Sequence, residues 1–355
     1  MGRLFVLPLV VLALAAPAAT ASAGSGAAGS WAAPQIAAVV GAGLMASTAD
    51  DFRPEDPLTW SELGTVVASL GGSISVVEPY RPVTIRELDA QLVSLAGLRS
   101  TARGIRAAAL LAGLTPTPWL GTETVARMLG LRINHERAEE ALERQLGEPA
   151  TRAEAAYSIA RLLSMTDMEI EAVRTAATGF TLPELSSLQG RVLTRALRFV
   201  GSPYVWAGTS EKPQRLFGKV MPGGFDCSGF VWRVYKLEPF VDAPALGQVL
   251  KGRTTYAMSG EVPVSARITR DRLEPGDVVF FGSRGPRSKP AEVGHMGIYV
   301  GNGWFVHSSR FGTTLTPMTG WYETAFAWGR RPIAEAGLTL PRTGAVAGAG
   351  TSVTR

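Results

Sequence analysis

The chain contains a single cysteine, Cys227, and this residue limits the ways in which the fold can be stabilised. An internal disulfide needs two cysteines, and structural zinc sites of the cysteine type use several. The fold must therefore be held together by packing, for which a hydrophobic content of 46% is sufficient. Any chemistry that depends on sulfur must also use Cys227.

The first residues of the chain predict an export signal. Arg3 precedes an apolar run from Leu4 to Ala16, and Ala21-Ser22-Ala23 has the small-x-small pattern of a cleavage site. The run is shorter than the ~20 residues that span a bilayer, and no later segment is a transmembrane candidate. We therefore expect residues 1–23 to be a signal peptide and the mature protein to be secreted.

Export affects how the single cysteine is interpreted. Compartments outside the cytoplasmic membrane often oxidise thiols, so an unpaired cysteine is unusual in an exported protein. We therefore expect Cys227 either to be buried and inert or to have a function.

The formal net charge of +5 is mild and dispersed. The sequence has no dense run of lysine and arginine, so we expect no nucleic-acid partner. The charge fits weak attraction to an anionic polymer of the cell envelope, and it fits ordinary solubility equally well.

The length of 355 residues predicts about two domains, and the pattern of the first is helical. Residues 24–50 are rich in glycine, alanine and serine, which is typical of a flexible linker. Within 51–180, three Thr-x-x-Glu segments begin at Thr59, Thr84 and Thr151, and each opens an apolar stripe at helical spacing. Capped helices that recur in this way suggest a degenerate internal repeat.

The last of these segments, Glu148-Pro149-Ala150-Thr151-Arg152-Ala153-Glu154, resembles the S-layer-homology (SLH) modules of bacterial envelope proteins. Phe52-Arg53-Pro54 and Tyr80-Arg81-Pro82 precede the other two segments in a similar way. The resemblance implies that the all-α region 51–180 holds an anionic secondary cell-wall polymer. The alternative is a plain helical spacer or a lid.

The pattern changes after residue 180, and we expect a second domain over 185–333. Its segment Gly223 to Tyr235 places Cys227 at a glycine-rich turn that is followed by a helical apolar pattern. A thiol in the first turn of a helix faces free backbone amides and the positive end of the helix dipole, which favour the thiolate. Such a cysteine is a candidate nucleophile, and the alternative is a small buried cysteine without a catalytic role.

Two of the three histidines, His295 and His307, lie in one predicted β-hairpin with an Asn302-Gly303 turn. A two-residue loop would pair Ile298 with His307 and place the histidines on opposite faces. A three-residue loop with Gly303 in the left-handed conformation would pair Gly297 with His307 and place both histidines on one face.

The three-residue loop is the prediction, because it also gathers a coherent apolar face. That face consists of Met296, Ile298, Val300, Trp304 and Val306. Histidines on one face could act together on the thiol, one as a base and the other as its orienting partner. A zinc ion held by Cys227, His295 and His307 is the alternative, but no fourth ligand stands at a typical spacing.

Four segments in order over the C-terminal region resemble the NlpC-type cell-wall cysteine peptidases. The segments are Gly201-Ser202-Pro203-Tyr204-Val205-Trp206-Ala207-Gly208, Phe225-Asp226-Cys227-Ser228-Gly229-Phe230, Leu273-Glu274-Pro275-Gly276-Asp277-Val278-Val279-Phe280-Phe281 and the hairpin from His295 to His307. The resemblance implies an α+β, papain-like domain without metal or cofactor. It also implies hydrolysis of the amide between γ-D-glutamate and a diamino acid in peptidoglycan stem peptides.

The same resemblance assigns roles to individual residues. Cys227 would be the nucleophile, His295 the base and His307 the residue that orients it. Tyr204 would lie near the oxyanion, and Asp226 and Ser228 would line the stem-peptide site. Two other classes remain open: a non-catalytic wall-binding protein with the same fold, and an amidase or acyltransferase that uses the same thiol.

Two loops and the tail depart from the family pattern. Basic segments at 211–221 and 283–290 are candidates for the rim of the cleft or for plain solvated loops. Residues 334–355 are expected to form a flexible tail. Its segment Leu340-Pro341-Arg342-Thr343-Gly344 looks like a sortase motif, but only a short stretch rich in glycine and alanine follows, so we interpret it as a chance match.

Overall fold

The structure is a computed structural model that describes residues 26–134 and 143–338. The predicted signal peptide, His135 and the motif at 340–344 lie outside the described residues. Within the described part of the chain, no helix is both long enough and apolar enough to cross a membrane.

The first part of the described chain is helical. Its helices are α1 Ala33–Gly41, α2 Trp60–Ser69, α3 Ile85–Leu95, α4 Arg99–Leu111, α5 Leu120–Met128, α6 Arg152–Leu163, α7 Asp167–Thr178 and α8 Ser187–Arg198. The threonine caps predicted for α2 and α6 are present, since Thr59 accepts from the Glu62 N–H and Thr151 from the Glu154 N–H. At α3, the Glu87 carboxylate accepts from the Thr84 N–H at 2.8 Å.

The three segments that precede α2, α3 and α6 meet at one point. The Leu58 N–H donates to Ala150 O, the Ala150 N–H to Val83 O, and the Val83 N–H to Leu58 O, each at 2.8 Å. These bonds close a ring, and each of the three residues stands between a proline and the capping threonine of its helix. The degenerate repeat that the sequence suggests is therefore a pseudo-threefold arrangement around this ring.

The prediction of a flexible linker over 24–50 is wrong for Ala33–Gly41. Helix α1 lies there, and its Ile36 and Val39 are fully buried in contact with the rest of the helical core. Ile36, Val39 and Val40 stand at helical spacing, but the glycine, alanine and serine around them led to the prediction of a linker. Burial of those side chains supplies the stabilisation that composition alone did not reveal.

The C-terminal region is α+β, as predicted. Its strands are β1 Thr209–Ser210, β2 Gln214–Leu216, β3 Lys219–Met221, β4 Gly224–Phe225, β5 Val278–Gly282, β6 Val293–Gly301, β7 Trp304–Ser309, β8 Gly312–Pro317 and β9 Phe326–Arg330. Its helices are α9 Cys227–Trp232, α10 Thr255–Gly260, α11 Trp321–Ala325 and α12 Pro332–Glu335. The last five strands form an antiparallel sheet in the order β8-β7-β6-β5-β9, and α9 packs against β6 and β7.

The hairpin between β6 and β7 has the predicted register but not the predicted loop. Gly301 pairs with Trp304, so the loop has two residues, Asn302 and Gly303, both in the left-handed region. Ile298 nevertheless pairs with Val306, because a bulge between Tyr299 and Gly301 shifts the register by one residue. The bulge therefore produces the register that was predicted to come from a three-residue loop.

The helical region and the sheet share a buried polar contact. The Arg127 guanidinium pairs with the Glu143 carboxylate at 2.7 Å and donates to Gly201 O at 2.8 Å and to Phe311 O. Phe311 lies in the turn between β7 and β8, shortly after His307. One side chain of the helical region therefore holds two backbone segments of the C-terminal region.

Candidate active site

Cys227 is the first residue of α9, as the glycine-rich turn predicted. Asp226 is the N-cap, and its carboxylate accepts from the Gly229 N–H. Gly229 is required at this position, since a Cβ atom there would lie 1.8 Å from Gly208 O. The close approach of the two backbones brings the segment after Tyr204 against the start of the helix that carries the thiol.

The sulfur of Cys227 lies against strand β6, beside Met296, the residue that follows His295. The backbone N–H groups of Met296 and Ser228 hydrogen-bond to it, and its distance to the Thr255 hydroxyl oxygen is 3.4 Å. The thiol is free of any disulfide and is only partly accessible.

The expectation that the helix start favours the thiolate is wrong for the resting protein. Burial raises the pKa of the Cys227 thiol above its ordinary value, and the Thr255 hydrogen bond opposes this only in part. Desolvation penalises the charged form, so a buried sulfur keeps its proton unless something accepts it. Reactivity must then depend on proton transfer to a neighbouring base.

His295 and His307 lie on one face and touch. His295 Nε2 is 2.9 Å from His307 Nδ1. Gly297 makes room for this contact, because a Cβ atom there would lie 3.0 Å from the His307 Cβ. The shared face that the register argument predicted is confirmed.

Both histidines are neutral at physiological pH. Burial lowers the pKa of His295 to about 4. Burial and then the charge of His295 lower the pKa of His307 well below its ordinary value. A neutral imidazole beside a neutral thiol is the ground state of a general-base mechanism.

The contact between the rings determines their tautomers. If His295 is to accept the thiol proton through Nδ1, its Nε2 must carry hydrogen and donate to His307 Nδ1. His307 then carries its own hydrogen on Nε2, an atom that is buried without a partner among the described residues. The His307 ring is held in place by stacking on Phe305, with 4.5 Å between the ring centroids.

Tyr204, Asp226 and Ser228 lie close to the thiol. Burial, followed by the charges of Cys227 and Asp226, raises the pKa of the Tyr204 hydroxyl, which therefore remains a hydrogen-bond donor. Ser228 donates to Asp226 Oδ1 at 2.9 Å, and the Arg253 guanidinium donates to the Ser228 hydroxyl oxygen at 2.7 Å. Arg253 also lies 3.5 Å from Asp226 Oδ1, so this carboxylate faces a cation as well as the helix start.

Sequence reasoning missed three residues beside the site: Arg253, Thr255 and Tyr322. The Tyr322 ring packs against His307 with 5.0 Å between the centroids. None of the three stands in a motif that the sequence analysis used. Their placement depends on contacts between segments that are distant in the chain, so local pattern gave no signal.

The described residues contain no group of three histidine, cysteine, aspartate or glutamate side chains arranged to hold a metal ion. The zinc alternative for Cys227, His295 and His307 therefore has no support in the geometry. The described side chains at the site supply a thiol, two imidazoles, a phenol, two hydroxyls, a carboxylate and a guanidinium.

A thiol at the start of a helix that packs on an antiparallel sheet, with two histidines in contact on that sheet, is the arrangement that papain-like cysteine hydrolases use. Residues 201–331 match the model of the NlpC/P60 family. The C-terminal region is therefore an NlpC/P60 domain, the domain of a family of cysteine peptidases.

Curated relatives are similar over the same region. Murein DD-endopeptidase MepH of Escherichia coli is 30% identical over 148 residues, which are 40% of this chain and 46% of the relative. Gamma-D-glutamyl-L-lysine dipeptidyl-peptidase of Bacillus cereus is 31% identical over 113 residues, 32% of this chain and 26% of the relative. The chain thus spans less than half the length of these two relatives.

A solved structure of an NlpC/P60 family protein from Bacillus cereus is 25% identical, with a TM-score of 0.31. The similarity covers 43% of this chain and 42% of that chain.

Proposed function

We propose that the protein is a secreted peptidoglycan endopeptidase that cleaves the amide between γ-D-glutamate and a diamino acid in stem peptides. The observation that carries the proposal is the contact of His295 with His307 on strands β6 and β7, one residue from the Met296 N–H that hydrogen-bonds to the Cys227 sulfur. The family match supports the substrate class. The names of the two relatives refer to different bonds, so the choice of bond rests on the residue-by-residue resemblance.

The proposed reaction begins when the Cys227 sulfur attacks the carbonyl carbon and its proton moves to His295. The C–N bond of the tetrahedral intermediate then breaks, and His295 returns the proton to the departing amine. A thioester remains, which water hydrolyses with His295 again as base. The Tyr204 hydroxyl is proposed to donate to the oxyanion, while Asp226 and Ser228 line the bound peptide.

The test is incubation of residues 24–355 with purified stem peptides, followed by mass analysis. We expect a new pair of fragments that divides the peptide after γ-D-glutamate, and none with the Cys227→Ala variant. Cleavage at another bond would favour the amidase or acyltransferase alternative. Absence of any product, with intact peptide bound, would favour the non-catalytic wall-binding protein.

We also propose that the helical region attaches the protein to an anionic secondary polymer of the wall. The ring formed by Leu58, Val83 and Ala150 supports this, because it shows that three similar units are arranged around one axis. Arg152 of the SLH-like signature is largely buried and donates to Phe52 O and Met45 O. It therefore stabilises the fold, and the polymer would have to contact other residues.

The attachment is tested with the full Cys227→Ala chain, which cannot digest the wall. We expect it to sediment with purified walls and to remain in solution after the secondary polymer has been extracted. Equal sedimentation with extracted walls would assign binding to the peptidoglycan itself and would leave the helical region as a spacer.

A further inference from the structure

The Thr255 side chain contacts the Cys227 sulfur, although the sequence analysis did not assign this residue to the site. Its hydroxyl oxygen lies 3.4 Å from the Cys227 sulfur, and the two residues are 28 positions apart in the chain. Thr255 is 8% exposed, so water has little access to its hydroxyl. A buried hydroxyl group this close to a sulfur atom is expected to hydrogen-bond to it.

The direction of this hydrogen bond depends on the charge of the sulfur. A neutral thiol can donate weakly to the Thr255 oxygen or accept from it, but a thiolate can only accept. When the proton leaves Cys227, the Thr255 hydroxyl can turn its hydrogen toward the sulfur. The bond therefore strengthens as negative charge develops and stabilises the anion more than the thiol.

The segment that carries Thr255 is fixed at both sides. Thr254 is the N-cap of α10 and accepts from the Ala257 N–H at 3.3 Å. Arg253 donates to the hydroxyl of Ser228, the residue that follows the nucleophile, and to Ala207 O at 3.0 Å. The start of α10 is thus tied to the start of α9, and Thr255 has a defined position relative to the sulfur.

We propose that Thr255 is a positioning residue that holds the Cys227 sulfur next to His295 and stabilises its anionic form. With the amides of Ser228 and Met296, it completes a set of three donors around the sulfur. Burial raises the pKa of the Cys227 thiol, and these three hydrogen bonds lower it. They therefore help a desolvated sulfur to become a nucleophile. The proposal rests on the proposed function, in which Cys227 attacks the substrate.

The test compares Thr255→Val, which keeps the shape but removes the hydroxyl, with Thr255→Ser, which keeps the hydroxyl. The rate of alkylation of the protein by iodoacetamide is measured between pH 6 and pH 11. Cys227 is the sole cysteine, so the rate reports on this thiol alone. We expect the midpoint for Thr255→Val to rise by about one pH unit, with about tenfold slower alkylation at pH 7.

Thr255→Ser should restore a profile close to that of the unchanged protein. The control is Thr65→Val, which removes an exposed hydroxyl that donates to Ser61 O within α2 of the helical region. It should leave the alkylation midpoint in place. If Thr255→Val does not fold, Thr255→Ala gives the same comparison.

The proposal is overturned if the valine or alanine variant has the same midpoint as the unchanged protein, or if the serine variant behaves like valine. The assay needs no peptide substrate, so it is independent of the proposed reaction. A shifted midpoint in a protein that cleaves no stem peptide would leave Thr255 in its role and refute the hydrolase function instead.

Discussion

Arg127 joins the helical region to the NlpC/P60 domain through a guanidinium that has no solvent exposure. Its partners are the Glu143 carboxylate and the carbonyl oxygens of Gly201 and Phe311. In Arg127→Met, the stem is retained while all of these hydrogen bonds are lost. The variant therefore measures how much the contact between the two regions contributes to stability.

The expected cost follows from what the substitution leaves behind. Glu143 would remain buried, with Arg132 at 3.5 Å as its nearest remaining cation, and two carbonyl groups would lose a donor. Breaking a buried ion pair from one side costs about 3–5 kcal/mol. A domain has a free energy of unfolding of roughly 5–15 kcal/mol, so the loss is a large fraction of the total.

The assay is urea unfolding of residues 24–355, followed by tryptophan fluorescence. Arg174→Met is the matched control, since Arg174 is 37% exposed and pairs with Glu171 at 2.9 Å on the surface. We expect a loss of about 4 kcal/mol for Arg127→Met and less than about 1 kcal/mol for the control. A loss for Arg127→Met as small as that of the control would refute the reasoning.

Three further predictions concern the site and the buried charges. Burial raises the pKa of Asp89 to about 7, so its proton is lost more easily in the unfolded chain. This group therefore lowers the free energy of unfolding as the pH rises from about 4 to 7. Asp89→Asn should raise the free energy of unfolding at pH 8 but not at pH 3, and urea melts at both pH values test this. A Cβ atom at Gly297 would lie 2.6 Å from Val306 O, so Gly297→Ala should move β7 and reduce kcat/KM for stem peptides more than tenfold, and unchanged kinetics would contradict this. Because the pKa of His295 is about 4, kcat/KM should fall only near that pH on acidification, and a fall near pH 6.5 would show that the imidazole is solvated.

The pKa of His295 also has a consequence for stability. A buried neutral histidine contributes fully above its unfolded value of about 6.5, and the contribution is lost as pH falls toward 4. This trend is opposite in sign to that of Asp89. The two contributions should therefore largely cancel between about pH 4 and pH 7. In the His295→Gln variant only the Asp89 contribution would remain, and the free energy of unfolding should fall as the pH rises through this range.

The sequence by itself determined the local features of this protein. The threonine caps at Thr59 and Thr151 act within one turn of helix, so their residue types are sufficient to predict them. The position of Cys227 at the start of α9 follows in the same way from its glycine-rich turn and from Asp226, whose carboxylate caps the helix. The α+β class was implied by the resemblance of the four segments to the NlpC-type peptidases, and the structure confirms it.

The tertiary structure decided what depends on distant segments. The bulge before Gly301 sets the face of His295 and His307, and the sequence led to the same face through the wrong loop. Burial, which no local pattern measures, left the Cys227 thiol and the His295 imidazole both neutral. A pKa depends on every group packed around the site, so only the assembled fold could show that the resting thiol keeps its proton.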